Sequence, residues 1–203
     1  MERINHLNQH HVKHMKKREM ILSLFFPDFF YQVDCTKGPD TDKPGFAALV
    51  KELRAEFTPR GWLLTAAVSP SKKVIDLAYD VPSISRDLDW IGVMTYDYHG
   101  HFDKVTDHSA PLYLHAETTD PQFNANYTMN YWIELGADPQ KLILGIPTYG
   151  RAVQLANANL NGMGAPISGA GDAGTFTKAK GFLSYYEVFG SPGKSYYCRI
   201  SLG

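Results

Sequence analysis

Apolar residues fall into three short, nearly continuous runs, separated by stretches in which they recur every three or four positions. Residues 62–68 (WLLTAAV), 90–94 (WIGVM) and 141–146 (KLILGI) have the pattern of parallel strands covered on both faces. Between residues 31 and 62 the periodicity is helical. Asp42 with Pro44 just inside the first turn marks a helix start, and Phe46, Leu49, Val50, Leu53 and Phe57 form one apolar stripe. Lys51, Glu52, Arg54 and Glu56 fall mostly on its wet side, and Pro59-Arg60-Gly61 ends it. Ser69-Pro70 stops the first strand. A short helix is predicted around residues 74–79, another after Pro82, and a longer one over about 126–135, closed by Gly136. Residues 101–123 read as a long loop.

Strand, helix, strand, helix, strand with short connections indicates an α/β chain with a parallel sheet and right-handed crossovers. A doubly wound sheet and a barrel share this signature, and periodicity does not separate them. No Gly-x-Gly-x-x-Gly or phosphate loop occurs, which counts against a nucleotide-binding version.

Composition narrows the picture modestly. The 203 residues are 44% hydrophobic and 13% aromatic, as expected of a globular protein or part of one. A net charge of −1 gives no reason to expect nucleic acid or an anionic membrane as partner, and no apolar run is long enough to span a bilayer. Cys35 and Cys198 lack zinc-ligand spacing; one long-range disulfide between them stays open. Residues 1–31 differ from the rest. His6, His10, His11 and His14 mingle with Lys13, Lys16, Lys17 and Arg18 before the apolar residues 20–26. His10 and His14 can share a helix face, but nothing completes a metal site, so no metal and no cofactor are expected. The stretch also lacks a clean signal-peptide cleavage site. A solvated or poorly ordered leader is the expectation.

The candidate chemistry lies in residues 88–100 (LDWIGVMTYDYHG). The period of two predicts Met94, Tyr96 and Tyr98 on one side, with Asp97 where strand gives way to loop. From the residues alone this is either a functional rim at the mouth of a parallel barrel or a buried strand whose Tyr and Asp cap a turn. The segment resembles the sixth-strand signature, Met-x-Tyr-Asp-x-x-Gly, of glycoside hydrolase family 18, the chitinases and chitinase-like lectins, in its animal, insect-like form. Further motifs follow in the family's order. Residues 32–57 resemble the segment after its fourth strand, 63–70 its fifth strand, and 142–151 (LILGIPTYGR) its seventh. Residues 162–169 with 181–187 resemble the start of its small α+β insertion domain.

The resemblance implies a partial (β/α)8 TIM barrel with the beginning of that insertion. Residues 1–31 form an unmatched leader, 32–151 the partial barrel, 152–189 the start of the insertion and 190–203 an unmatched tail. It further implies an extracellular protein acting on chitin or chito-oligosaccharides, β-1,4-linked N-acetylglucosamine polymers. In this family the substrate's own acetamido oxygen attacks the anomeric carbon while a Glu protonates the leaving oxygen, outside the usual two-carboxylate scheme. Tyr96 is then expected to donate to the acetamido oxygen, Asp97 to accept from the sugar, and Met94 to pack against it. Tyr98, Tyr149 and Arg151 are expected to line the cleft, and Trp62, Trp90 and Trp132 to be packing residues.

The family's acidic motif, Asp-x-x-Asp-x-Asp-x-Glu on its fourth strand, has no match in this sequence. Leu24 to Phe30 fill the space where it belongs, and Asp28 is out of pattern. No catalytic residue is therefore assigned, and hydrolysis is expected to be very slow or absent. General acid catalysis alone is typically worth ~10²–10⁴-fold. Three strands cannot close a barrel, so the expectation is an incomplete chain: a fragment of a chitinase or, alternatively, a chitinase-like protein that binds a glycan without cutting it. Asn126-Tyr127-Thr128 has the pattern of an N-glycosylation acceptor.

Overall fold

The computed structural model describes residues 21–24, 42–118 and 120–189. The His-rich leader up to residue 20, Asp28, both cysteines and the tail from residue 190 lie outside the described residues. A four-stranded parallel sheet forms the main body, made of β1 (Ile21–Leu24), β2 (Leu63–Val68), β3 (Trp90–Val93) and β4 (Leu142–Leu144). Its spatial order is the order of the chain, with Leu24 beside Ala66, Val68 beside Val93 and Val93 beside Leu144. A doubly wound sheet reverses direction at a switch point; this one never does. It is a stretch of barrel wall.

Helices α1 (Asp42–Phe57), α2 (Lys72–Ala78), α3 (Val81–Asp87) and α4 (Ala125–Glu134) cover one face. The stripe read from the sequence does the packing: Val50 and Phe57 are buried, and Phe46 and Leu53 pack against the same core. Ile75, Ile84, Leu64, Ile91 and Trp132 join them. Trp132 is wholly enclosed, its indole N–H donating to the Ser69 carbonyl at 3.3 Å and its ring 5.3 Å from that of Tyr79. Local chemistry sets the helix ends. Asn124 accepts from the Tyr127 N–H at the start of α4, and Gly136 takes a φ of 100° just beyond its end.

Three details depart from the sequence reading. First, a fourth strand, β1, lies within the segment set aside as a leader; the basic, His-rich residues before the apolar stretch 20–26 drew the whole segment into one unmatched leader. Second, Arg54 is not simply on the wet side of α1. It donates to the Asp87 carbonyl at 2.7 Å and to the Asp89 carboxylate at 2.5 Å, and Asp89 also accepts from the Leu64 N–H. Third, β4 is not buried on both faces: Ile143 is 49% exposed and Ile146, just past the strand, 71%. Among the described residues β4 pairs only with β3, so an apolar run marks a strand without saying what covers it.

Beyond β4 the chain leaves the sheet. β5 (Tyr149–Arg151) pairs antiparallel with β8 (Phe182–Ser184), and β6 (Val153–Leu155) with β7 (Ile167–Ala170); α5 (Tyr185–Phe189) follows β8. The long loop after β3 is tied to this region. Thr106 donates through its hydroxyl to the Gly162 carbonyl and through its N–H to the Ala165 carbonyl.

Candidate functional site

The site begins where β3 stops. After Val93 the backbone turns tightly, the Thr95 N–H meeting the Val93 carbonyl and the Tyr96 N–H the Met94 carbonyl at 2.7 Å. Gly145 makes this possible. It donates to the Val93 carbonyl and accepts from the Thr95 hydroxyl at 2.7 Å, and a Cβ there would lie 2.6 Å from Val93 O. Asp97 then adopts a left-handed φ of 60°, which Asp tolerates better than most side chains.

This turn cancels the alternation that would send Met94, Tyr96 and Tyr98 one way. Tyr96, half-buried, faces Tyr149 edge-on with ring centroids 6.0 Å apart. Tyr98 goes into the protein instead. It is 5% exposed, its hydroxyl 2.7 Å from that of Thr128 and its ring 6.3 Å from Phe123. Tyr98 is therefore not brought to the rim, because strand periodicity ends with the strand. Met94 is buried as well.

Asp97 and Arg151 close the group. The guanidinium grips the carboxylate through two parallel bonds, Nε to Oδ1 at 2.7 Å and the second at 2.5 Å. Arg151 also lies 5.5 Å from the ring centroid of Tyr149 and 5.8 Å from that of Phe182. The Tyr149 and Phe182 rings are 4.6 Å apart. Phe182 was not singled out by the sequence reading; its aromatic residue opposite Arg151 in the β5–β8 register is visible only once the two strands are paired.

Burial first, then the Asp97 carboxylate beside it, pushes the Tyr149 phenol well above its ordinary range. The same two causes, in the same order, raise Tyr96. Burial also raises Tyr98, against the opposing pull of Thr128. The bond to Asp97 raises Arg151 further. At neutral pH the rim thus offers two protonated phenols and a fixed guanidinium: hydrogen-bond donors beside aromatic faces. That set suits a polar, ring-shaped, uncharged ligand.

A second carboxylate is held very differently. Glu187 accepts from the backbone N–H groups of Phe176 at 2.6 Å, Thr177 at 3.1 Å and Ser184 at 3.0 Å, and from the Ser184 hydroxyl at 2.9 Å. Burial alone would raise it, but these donors, led by Phe176, hold it down to about 2. Gly174 is required here, since a Cβ would sit 2.2 Å from Glu187 Oε1. Elsewhere, buried His99 lies between Asp103, at 3.3 Å, and Asp107, at 3.5 Å. Among the described residues no three His, Cys, Asp or Glu side chains are grouped to hold a metal ion. No helix among them is long and apolar enough to cross a membrane.

Residues 18–197 match the family model of glycosyl hydrolases family 18. The probable chitinase 10 of Drosophila melanogaster is 53% identical over 158 residues, 78% of this chain and 7% of that protein. The crystal structure of catalytic domain 2 of the Ostrinia furnacalis group II chitinase superposes with a TM-score of 0.78 at 55% identity, over 83% of this chain and 44% of that one. Human YKL-39, described as a pseudo-chitinase with retained chitooligosaccharide-binding properties, superposes with a TM-score of 0.69 at 37% identity, over 73% of this chain and 44% of that one. This chain spans less than half the length of each of these relatives. Strand order, rim chemistry and family match agree: the chain belongs to glycosyl hydrolases family 18, with the fold of a partial (β/α)8 barrel.

Proposed function

We propose that this chain supplies the sugar-gripping wall of a chitinase-type glycoside hydrolase and that, alone, it binds chito-oligosaccharides without cutting them. In the complete protein the reaction is substrate-assisted retaining hydrolysis of β-1,4-linked N-acetylglucosamine polymers, outside the cell. The observation that carries the reading is the Asp97–Arg151 pair with Tyr96 and Tyr149 at the carboxyl-terminal rim of the parallel sheet, where barrel enzymes gather their chemistry. Tyr96 donates its hydroxyl to the acetamido carbonyl, turning that oxygen toward the anomeric carbon. Asp97 accepts from the sugar, and Met94 and Tyr98 support the rim from beneath. Holding the acetamido group in attacking geometry contributes several kcal/mol by general estimates, ~7–11 kcal/mol at most.

Retention of the wall does not supply a proton. β1 lies beside β2 and reads Ile21-Leu22-Ser23-Leu24, and the residues from Leu24 to Phe30, where the acidic motif belongs, do not carry its pattern. A second reading, a chitinase-like binder whose function is recognition alone, rests on the likeness to a pseudo-chitinase that keeps oligosaccharide binding. Isothermal titration of the full chain with a chitin oligosaccharide, beside the Tyr96→Phe and Arg151→Ala variants, tests the site. Heat of binding that weakens in both variants is expected. Binding unchanged in both, or no binding by the parent chain, overturns the assignment.

A further inference from the structure

We propose that Asn126 is N-glycosylated and that the first sugar rests in a cavity beside it, whose lining shares no residue with the rim. Asn126-Tyr127-Thr128 is the single Asn-x-Ser/Thr triplet in the chain. The motif alone is weak evidence; its setting makes the case. Asn126 is exposed in the first turn of α4, its Oδ1 accepting from the Asn130 amide at 3.2 Å, so the amide nitrogen is the end left for a sugar. Next to it lies a cavity of about 270 Å³, lined by Leu114, Pro121, Tyr127, Asn130, Tyr131 and Glu134. Tyr127 and Tyr131 stack within it, centroids 5.9 Å apart and planes 13° from parallel. Aromatic faces flanked by an amide and a carboxylate suit the apolar side and the hydroxyls of one N-acetylglucosamine ring.

Thr128 sets the timing. Two residues along a helix is more than half a turn, so Thr128 points inward where Asn126 points out. It is fully buried, its hydroxyl donating to the Pro70 carbonyl at 3.0 Å and paired with Tyr98 at 2.7 Å. A transferase that reads this hydroxyl has to meet the segment before α4 docks. In the transfer, the C1–O bond of an oligosaccharide on a polyprenyl diphosphate breaks and the diphosphate leaves with the electron pair. Asn126 Nδ2 bonds to C1 and gives one proton to a base of the transferase. Folding then consumes the Thr128 hydroxyl and leaves the glycan on the wet face.

The full chain, expressed in insect cells behind a secretion signal and carrying a reporter acceptor triplet at its C-terminus, provides the test. Peptide mass spectrometry after endoglycosidase treatment reads occupancy at both positions, and an occupied reporter proves entry to the lumen. Asn126 occupied in most reporter-positive molecules is the expected result, with one glycan fewer in Asn126→Gln and the glycan kept in Thr128→Ser. A bare Asn126 in reporter-positive molecules overturns the proposal. Neither outcome depends on chitin binding.

Discussion

The rim and the clasp around Glu187 each centre on a carboxylate, and the two carboxylates are held in different ways. Glu187 is held by three backbone N–H groups and a hydroxyl, all within one local clasp. Asp97 is held by a side chain, the Arg151 guanidinium, through two parallel bonds. The first ties a side chain to backbone; the second pairs two side chains at the rim. Glu187 is not a general acid in waiting. A proton donor at neutral pH needs a raised pKa, and the Glu187 clasp lowers its own to about 2.

That contrast can be broken most forcefully at Gly174. A methyl group there collides with Glu187, whose side chain is pinned, so Gly174→Ala has to open the clasp. Overpacking of this kind costs roughly 1–3 kcal/mol. Hydrogen exchange is expected to speed up at the amides of Phe176, Thr177 and Ser184 while β2 and β3 stay protected. Equal loss in both regions would mean the clasp is not a local unit.

Arg151→Ala sharpens the other side. Hydrogen bonds to charged groups are worth about 1.5–3 kcal/mol, and the pair is partly exposed, so oligosaccharide affinity is expected to fall roughly tenfold with the melting temperature little changed. Arg151→Lys keeps the charge but loses the parallel grip and is expected to fall between the two. Asp97 adds a backbone test. Asn keeps a side chain tolerant of the left-handed turn, whereas Ala adds strain of about 1–2 kcal/mol. Asp97→Ala should therefore melt lower than Asp97→Asn by thermal denaturation.

The smallest effect is one of pH. Because Glu187 titrates at about 2 when folded and near its ordinary value of 4.5 when unfolded, the folded state binds fewer protons across that interval. Its stabilising contribution is fully present above that interval and is lost as the pH falls toward 2. Melting temperatures of the parent and of Glu187→Gln are expected to differ at pH 6 and to converge near pH 2.

Much of this was legible in the sequence. Val50 and Phe57 bury the stripe that their spacing announces, and Asn124 and Gly136 bracket α4 as capping chemistry requires. The rim was partly legible: Tyr96, Asp97, Tyr149 and Arg151 do converge, but period-two alternation misdirected Tyr98, since one left-handed residue ends it. Facts that depend on a partner element were not readable. The exposure of Ile143, the ring of Phe182 opposite Arg151, the Arg54–Asp89 pair and the Glu187 clasp each need two segments that only folding brings together.

In this chain gripping and cutting are expected to be separate. Sugar release can be followed chromatographically in a sample where calorimetry has already registered bound chitin oligosaccharide, beside a complete family 18 chitinase. The chain is expected to turn over at least ~10²-fold more slowly than the complete enzyme, the lower bound for losing a general acid. Turnover at a comparable rate would mean a proton donor is present after all.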